Sequence, residues 1–277
     1  MANPSGQNPK KERLDVALVK RGLTESRERA RALILSGAVR VGQKRADKAS
    51  AQVLDTDEVR VISAPHPYVS RGGLKLEKAM RSFSISAEGA VAVDIGASTG
   101  GFTDALLQAG ARLVYAVDVG YGQLDWRLRN DRRVVVMERT NARFLRIDNF
   151  PERPSLCVMD VSFISVRLLL PVIFPILLES GRVVALIKPQ FEAGRERVGK
   201  KGVVRDAGTH RDVLLELLSF LEGVGLAAQA ADFSPVTGPE GNIEFLLDIV
   251  SKERAARPLQ KEEIIKIVES AHDALGT

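Results

Sequence analysis

Residues 90–103 read Ala-Val-Ala-Val-Asp-Ile-Gly-Ala-Ser-Thr-Gly-Gly-Phe-Thr, an apolar strand that runs through Asp94 into a glycine-rich turn and the start of a helix. Glycine lets the backbone pass close to a ligand at positive φ, and the first turn of a helix offers unpaired N–H groups. The stretch therefore predicts a nucleotide-cofactor loop in an α/β fold. A glycine turn without a ligand is the alternative for the loop taken alone.

The amino-acid sequence of this loop indicates which cofactor it binds. A dinucleotide-binding turn requires a second glycine two residues after the first, but Ser98 stands two residues after Gly96. S-adenosylmethionine has no pyrophosphate and fits better. The next apolar strand ends in Asp118, the usual place for a carboxylate that accepts both ribose hydroxyls. The predicted cofactor-binding residues are Asp94, Gly96, Ser98, Gly100, Gly101, Phe102 and Asp118, and also Thr140 and Asn141, for which a simple turn is the alternative.

Strands and helices alternate along most of the chain beyond residue 70. Candidate strands, all short and apolar, lie at residues 91–95, 113–118, 134–138, 156–160, 183–188 and 243–250. This alternation predicts a doubly wound α/β sheet. Ligands of such sheets bind at the carboxyl ends of the strands, where Asp94, Asp118, Asp160 and Lys188 stand. We therefore expect these polar residues to converge on one site.

Composition excludes several classes of protein. The chain has 277 residues, 45% of them apolar, and a single cysteine, Cys157, so no disulfide framework forms within one chain and a reducing cytoplasm is the expected location. The three histidines have no cysteine or carboxylate partners at ligand spacing, so we expect no metal site. No signal peptide is apparent, and the longest apolar stretch, residues 161–178, is interrupted by Arg167, Pro171 and Pro175.

The positive charge is concentrated in the amino-terminal quarter of the chain. Residues 1–72 contain 14 Lys and Arg against 8 Asp and Glu, whereas the remaining 205 residues contain 26 against 27. This distribution predicts a polyanion-binding module ahead of a near-neutral body, and a solvated charged face is the alternative. The residues expected to form the basic face are Arg27, Arg31, Arg40, Lys44, Arg45 and Lys48.

The order of elements in this module, two short helices followed by strands, resembles that of an S4 RNA-binding domain. The matching motifs are Arg-Leu-Asp at 13–15, Gly-Leu-x-x-Ser-Arg at 22–27, Gly-x-Val-x-Val-Gly at 37–42 and Asp-Glu-Val-Arg-Val at 57–61. The resemblance implies a small α+β domain that binds structured RNA through its phosphates.

The remainder of the chain resembles the FtsJ-like 2'-O-ribose methyltransferases, and together with the S4 module it resembles the TlyA family of haemolysin-named ribosomal RNA methyltransferases. The motifs that carry the resemblance begin at Tyr68, Asp94, Val117, Met159, Leu186 and Gly238, and read YVSRGGLKL, DIGASTGGF, VDVGYGQL, MDVSFIS, LIKPQFE and GPEGNIE. The resemblance implies a cytidine ribose in ribosomal RNA as the substrate. It places the catalytic tetrad of the family on Lys75, Asp160, Lys188 and Glu244.

The proposed chemistry gives each tetrad residue a purpose. A ribose hydroxyl is a poor nucleophile whose proton must leave, and Lys188 is the candidate base. A lysine is almost entirely protonated at pH 7, so a neighbouring cation such as Lys75 is expected to lower its pKa, while Asp160 and Glu244 orient the ammonium groups. A basic loop beyond Lys188 is predicted to clamp the RNA backbone through Arg195, Arg197, Lys200 and Lys201, and a solvated loop is the alternative.

These expectations divide the chain into a disordered tail (1–12), an S4-like domain (13–62), a proline-containing linker (63–69), an FtsJ-like methyltransferase domain (70–252) and a carboxy-terminal tail that is helical (253–277). Three other functions stay open at this point: a non-enzymatic RNA-binding factor in ribosome assembly, a membrane-active haemolysin, and a methyltransferase that acts on a base or a small molecule.

Overall fold

A computed structural model describes residues 11–35, 37–62 and 66–276. The chain folds as two units that divide between Arg71 and Gly72. Residues 1–10 of the predicted tail and residues 63–65 of the predicted linker lie outside the described residues.

In its described residues, 11–35, 37–62 and 66–71, the amino-terminal unit contains two helices and five short strands. Its elements are β1 (Lys11–Arg13), α1 (Leu14–Lys20), α2 (Arg27–Leu35), β2 (Val39–Val41), β3 (Lys44–Arg45), β4 (Gln52–Leu54) and β5 (Val59–Val61). The strands form two antiparallel sheets, one of order β3-β2-β5 and one in which β1 pairs with β4. Lys11 and Glu12, which we assigned to a disordered tail, therefore belong to a strand. Their partners in β4, Leu54 and Val53, are distant in sequence, so the sequence does not reveal that pairing.

One small core holds the amino-terminal unit together. Apolar residues at helical spacing on α1 and α2 turn inward and meet the inner face of the strands. The buried residues are Leu14, Ala17, Leu18, Ala30, Ile34, Val39, Ala46 and Val53. Ser26 caps α2, because its hydroxyl accepts a hydrogen bond of 3.1 Å from the Arg29 backbone N–H.

The second unit is an α/β fold around a seven-stranded sheet. Its elements are α3 (Gly72–Ser82), β6 (Val91–Ile95), α4 (Gly101–Gln108), β7 (Leu113–Val117), α5 (Trp126–Arg129), β8 (Val134–Met137), β9 (Leu156–Met159), α6 (Leu170–Ile173), β10 (Arg182–Ile187), α7 (Pro189–Glu192), α8 (Ala207–Gly223), β11 (Leu226–Phe233), β12 (Phe245–Ser251) and α9 (Lys261–Leu275). The strand order is β11-β12-β10-β9-β6-β7-β8. Strands β6 to β10 are parallel, and β12 is antiparallel to both of its neighbours.

This order places a topological switch point beside the glycine-rich loop. From β6 the chain proceeds through β7 to β8 on one side, and then crosses back to lay β9 and β10 on the other side. The connections that leave the carboxyl ends of β6 and β9 consequently diverge, and a crevice opens between them. The polar residues that follow these strands lie at the crevice.

All six predicted strands are present, and the α/β fold class is confirmed. One strand, β11, was missed. Its first six residues, Leu-Ala-Ala-Gln-Ala-Ala, include four alanines and no β-branched side chain, so local preference does not favour a strand there. Pairing along the full length of β12 overrides that preference.

The carboxy-terminal helix α9 is part of the second unit. Its residues Ile264, Val268 and Ala271 are buried in the same apolar core as the sheet and α8. His272 of α9 also lies 2.9 Å from His210 of α8 through their ring nitrogens. The segment that we predicted as a helical carboxy-terminal tail therefore contributes to the core of this unit.

Candidate cofactor pocket and catalytic tetrad

A pocket of about 470 Å³ lies at the carboxyl ends of β6, β7 and β9. Its volume is within the range typical of small-molecule sites. Five of the predicted cofactor residues line it, namely Gly96, Ser98, Asp118, Thr140 and Asn141, and so does Asp160 of the predicted tetrad.

Gly96 brings two strands of the pocket floor close together. Its φ is +86°, and a Cβ at this position would lie 2.5 Å from the backbone oxygen of Asp160. Any other residue would suffer both the strain of positive φ and a clash with backbone. Glycine is therefore required for Asp160 to follow β9 in its observed place.

Asp118 presents a carboxylate whose orientation is fixed by the backbone. One oxygen accepts a hydrogen bond of 2.8 Å from the Ser98 N–H, and the other accepts one of 2.6 Å from the Gly120 N–H. Each oxygen has a further lone pair. The carboxylate at the pocket can therefore accept hydrogen bonds from the two hydroxyls of a ribose.

Asp94 lies beneath the pocket and does not line it. Its side chain is fully buried, and one oxygen accepts a hydrogen bond of 2.7 Å from the Thr103 hydroxyl. The other oxygen has no hydrogen-bond partner among the described residues. Burial raises the pKa of Asp94 to about 7. Gly100, Gly101 and Phe102, which we also predicted as cofactor residues, are likewise absent from the lining, because they form the start of α4 behind the loop.

The four tetrad residues form two buried ion pairs. Lys75 of α3 contacts Glu244 at 2.5 Å, and Lys188, directly after β10, contacts Asp160 at 2.6 Å. Both lysines are at most 9% exposed, and Glu244 is fully buried. Burial opposes ionisation of Asp160, but the charges of Lys188 and Lys75 outweigh it and keep the pKa of Asp160 below its ordinary value. Lys75 is thus near enough to influence the second pair.

The Lys188 ammonium has a second partner that the sequence did not point to. It donates a hydrogen bond of 2.9 Å to the hydroxyl of Ser162, which lines the pocket. The segment after β9 therefore supplies two groups, Asp160 and Ser162, that hold Lys188 at the pocket.

The comparisons with known proteins agree with this geometry. The model of the family described as FtsJ-like methyltransferase matches residues 68–249, and the S4 domain model matches residues 12–59. The chain belongs to the FtsJ-like methyltransferase family.

Several relatives match this methyltransferase over most of their length. "Putative rRNA methyltransferase YqxC" of Bacillus subtilis is 51% identical over 96% of each chain. The "16S/23S rRNA (cytidine-2'-O)-methyltransferase TlyA" of Mycobacterium tuberculosis is 44% identical, over 85% of this chain and 88% of its own. A solved structure, "Putative hemolysin from Streptococcus thermophilus", is 46% identical with a TM-score of 0.76 and covers 96% of this chain and 97% of its own. The predicted membership of the TlyA family is confirmed.

The pocket of this methyltransferase fits S-adenosylmethionine, the cofactor that the family implies. Asp118 offers acceptors for the ribose hydroxyls, Gly96 leaves space for close approach, and one buried oxygen of Asp94 below the pocket has no hydrogen-bond partner among the described residues. Gln123, which we did not predict, also lines the pocket, where its side-chain oxygen accepts a hydrogen bond of 3.4 Å from the Ser98 hydroxyl.

Phe163 is a further pocket residue that the sequence analysis missed. It is 91% exposed, adopts a φ of +64°, and its ring centroid lies 5.1 Å from that of Phe191. An exposed phenylalanine at positive φ is unusual, since the left-handed region strains residues with a Cβ. Its place inside the motif that begins with Met159 was the signal that could have identified it.

The basic loop after β10 carries charges of two kinds. Arg195 and Lys201 are exposed. Arg197 instead makes two contacts with Glu216 of α8, at 3.0 and 3.2 Å, which raise its pKa. Only the backbone of Lys200 is described. A structural role is therefore the alternative to RNA contact for Arg197, because its guanidinium connects the loop to α8.

The predicted basic face of the amino-terminal unit consists of two groups. Arg40 of β2 stands directly opposite Arg45 of β3 and Arg60 of β5, so three arginines form a row across the sheet. Arg27 and Arg31 of α2 both contact the carboxylate of Asp15. Lys44 and Lys48 are exposed. Two arginines of this row also pair with carboxylates of the same unit, Arg45 with Asp47 at 3.1 Å and Arg60 with Glu58, so the repulsion within the row is partly offset.

Metal binding and membrane insertion would each require a recognisable structural feature. Within residues 11–35, 37–62 and 66–276, no group of three or more His, Cys, Asp or Glu side chains is placed to hold a metal ion. No helix in the same ranges is long and apolar enough to cross a membrane.

Proposed function

We propose that this methyltransferase transfers the methyl group of S-adenosylmethionine to the 2'-hydroxyl of a cytidine in ribosomal RNA. The observation that carries the proposal is the meeting of Lys75–Glu244 and Lys188–Asp160 beside the cofactor pocket, with Asp160 in its lining. The substrate is inferred from the relative in Mycobacterium tuberculosis, whose name specifies cytidine-2'-O-methylation of ribosomal RNA. A cytoplasmic location follows from that substrate.

In this proposal the cofactor is held by Gly96, Ser98, Asp118 and Asn141, with Asp118 accepting from its ribose hydroxyls. S-adenosylmethionine supplies an electrophilic methyl group bonded to a positively charged sulfur. The residues of the pocket bind and orient it, and the segment after β9 brings Lys188 to the same place. Placing the reacting atoms in line lowers the barrier by removing the entropy cost of their encounter.

Lys188 handles the proton of the attacking hydroxyl. In the protein without RNA, the side-chain nitrogen of Lys188 lies 2.6 Å from the carboxylate of Asp160. We propose that the lysine releases a proton as the RNA ribose displaces water, and that the neutral amine then accepts the 2' proton as the oxygen–carbon bond forms and the carbon–sulfur bond breaks. Lys75 and Glu244 position the ribose, and the charge of Lys75 adds positive potential near Asp160.

The proposal also assigns roles in RNA binding. The basic residues of the amino-terminal unit contact phosphates, which gives affinity without sequence specificity. Phe163, exposed at the pocket, offers a flat surface on which the base of the target nucleotide can stack.

The experiment that tests this function measures transfer of labelled methyl from S-adenosylmethionine to unmodified ribosomal subunits, followed by mapping of ribose methylation. Lys188→Ala is compared with Lys252→Ala, the same substitution at an exposed lysine that pairs with Glu222. We expect ribose label with the wild type and the Lys252 variant, and a loss of roughly 10³-fold with Lys188→Ala.

Other outcomes would contradict the proposal in distinguishable ways. Label on a base would exclude ribose chemistry. Binding of cofactor and RNA without any transfer would favour an assembly factor. Leakage of lipid vesicles caused equally by the wild type and Lys188→Ala would favour a membrane-active protein.

A further inference from the structure

Three arginines of the amino-terminal unit converge on the carboxylate of Asp15. Arg13 contacts both oxygens, through Nε at 2.9 Å and an Nη at 3.1 Å. Arg27 contacts Oδ2 through an Nη at 3.0 Å, and Arg31 contacts the same oxygen through Nε at 3.4 Å. Asp15 lies on α1, Arg27 and Arg31 lie on α2, and Arg13 ends β1, so one carboxylate joins three elements.

The burial of these four side chains is uneven. The Asp15 side chain is 0% exposed, whereas those of Arg13, Arg27 and Arg31 are 41%, 49% and 50% exposed. The carboxylate is therefore inaccessible to a large ligand, while about half of each arginine faces solvent. The hydrogen bond from Arg13 is the largest influence that keeps the pKa of Asp15 well below its usual value, so the charge of Asp15 is permanent near neutral pH.

The arginines retain donors that Asp15 does not use. A guanidinium has five N–H donors in a planar fork. The contacts with Asp15 engage Nε and one Nη of Arg13, one Nη of Arg27 and Nε of Arg31. The other Nη of Arg13, and the remaining edges of Arg27 and Arg31, are on partly exposed side chains that are already fixed in direction. Prefixed forks lose less rotamer entropy when they bind a phosphate oxygen.

We propose that Asp15 is a positioning residue for RNA binding, which holds Arg13, Arg27 and Arg31 together as one phosphate-binding cluster. The inference rests on the proposed function, since it presumes that the amino-terminal unit binds RNA. It adds Arg13 to the RNA-binding residues and gives a buried acidic residue a purpose in binding a polyanion.

The proposal makes a prediction opposite in sign to that of a simple charge count. If Asp15 acted only through its charge, Asp15→Asn would add one net positive charge and tighten binding to RNA. If Asp15 positions the cluster, the same substitution releases three guanidiniums from their shared partner and weakens binding. The isosteric amide keeps the volume of the buried side chain, so the packing of α1 changes little.

The test uses the full chain and unmodified ribosomal subunits, with the dissociation constant measured between 50 and 300 mM salt. For Asp15→Asn we expect roughly fivefold weaker binding and a log–log salt dependence that is shallower by about 1 to 2, because each lost phosphate contact removes about one unit. The matched control is Asp55→Asn, which removes the same charge from an exposed side chain of the same unit. It is expected to bind as tightly as the wild type or more tightly.

Steady-state methyl transfer separates positioning from structural damage. A positioning role raises the KM for subunits in Asp15→Asn and leaves kcat unchanged. Damage to the fold instead lowers the apparent kcat, because less of the protein is active. Arg27→Lys provides a second variant, because it keeps the charge on a half-exposed side chain but loses the planar fork. We expect roughly threefold weaker binding for Arg27→Lys.

Unchanged or tighter binding by Asp15→Asn, or unchanged binding by Arg27→Lys, overturns the positioning role while the proposed function survives, provided that the wild type binds and methylates. A wild type that neither binds subunits nor transfers methyl to them overturns both proposals.

Discussion

Asp15 and Asp94 are both fully buried, yet they stand in opposite electrostatic environments. Asp15, in the amino-terminal unit, is surrounded by three guanidiniums that keep its pKa well below the ordinary value. Asp94, in the methyltransferase unit, has a hydroxyl as its hydrogen-bond partner, and burial raises its pKa to about 7. Burial alone does not determine the charge of a carboxylate, since the partners decide whether it ionises.

The difference between these two residues reflects the work of the two units. The amino-terminal unit contains all of the excess positive charge of the chain and presents it on side chains at the surface. The methyltransferase unit is nearly neutral overall and places two buried ion pairs next to a pocket. Under the proposed function, the amino-terminal unit supplies an affinity for RNA that depends on salt. The methyltransferase unit supplies the chemistry, which depends on protonation.

The largest expected effect tests whether chemistry is confined to the methyltransferase unit. Asp160→Asn removes the partner of Lys188 and is expected to lower kcat by roughly 10³-fold, since proton-transfer groups contribute about 10² to 10⁴. The affinity for ribosomal subunits is expected to stay unchanged, because the phosphate contacts lie elsewhere. Single-turnover methyl transfer and a filter-binding titration measure the two quantities.

The control for this variant is Asp55→Asn, which makes the same substitution at an exposed aspartate of the amino-terminal unit. It should leave kcat as in the wild type. Equal losses of kcat in both variants would break the division of labour between the units.

The second effect concerns the close approach of β6 and β9. Gly96→Ala places a Cβ 2.5 Å from the Asp160 backbone oxygen and is expected to lower kcat/KM roughly 10²-fold, because displacement of a catalytic group by about 1 Å has that cost. Gly122→Ala is the matched control, since Gly122 also has positive φ, +71°, but no atom within 4 Å of the added Cβ. It shares the backbone strain of about 1–3 kcal/mol without the clash. Comparable activity losses in the two variants would mean that strain, and not the position of Asp160, explains the effect.

Much of the methyltransferase unit could be predicted because its signals are local. Six strands are short apolar runs that end in a charged or polar residue, and the tetrad residues lie in recognisable motifs. Strand β11 could not be predicted from its alanine-rich segment, because its stability comes from pairing with β12 and not from its own side chains.

The parts of the site that escaped prediction depend on contacts between distant residues. The sequence places Asp94 at the end of a strand but does not say that its side chain turns below the pocket toward Thr103. Likewise, the loop around Arg197 looks uniformly basic until the fold brings Glu216 against it. The arginines of α2 appeared as a solvent-facing row, whereas the structure joins them through Asp15, 12 and 16 residues earlier.

The third effect uses pH to separate the two buried aspartates. Asp94 titrates near 7 in the folded protein and near 3.8 when unfolded, so between these values only the folded state holds the proton. His210, whose pKa burial lowers to about 4, contributes a slope of the opposite sign over much of this range. The contribution of Asp94 to the free energy of unfolding falls as pH rises from about 4 to 7, by at most about 1.4 kcal/mol per pH unit, and levels off above 7. Asp94→Asn is expected to remove this slope. Trp126, the sole tryptophan, lies in the methyltransferase unit, and its fluorescence reports urea unfolding of that unit.

Asp15 supplies the contrast, because its pKa is depressed in the folded state. Its contribution to stability is complete above the unfolded pKa of 3.8 and is lost only as pH falls below it. Asp15→Asn therefore leaves the slope between pH 5 and 7 unchanged. An equal slope in the wild type and Asp94→Asn would show that Asp94 does not hold a proton in the folded protein.

The smallest effect concerns a single phosphate contact in the amino-terminal unit. Arg40 lies between Arg45 and Arg60 on adjacent strands, so Arg40→Gln removes the centre of the row. We expect binding of ribosomal subunits to weaken roughly threefold and the log–log salt dependence to become shallower by about 1, the value for one phosphate contact. Arg112→Gln removes the same charge at the start of β7, at the end of the strands opposite the pocket, where Arg112 pairs with Glu152. If Arg112→Gln reduces the salt dependence as much as Arg40→Gln does, net charge governs binding; if only Arg40→Gln does, affinity resides in the arginine row.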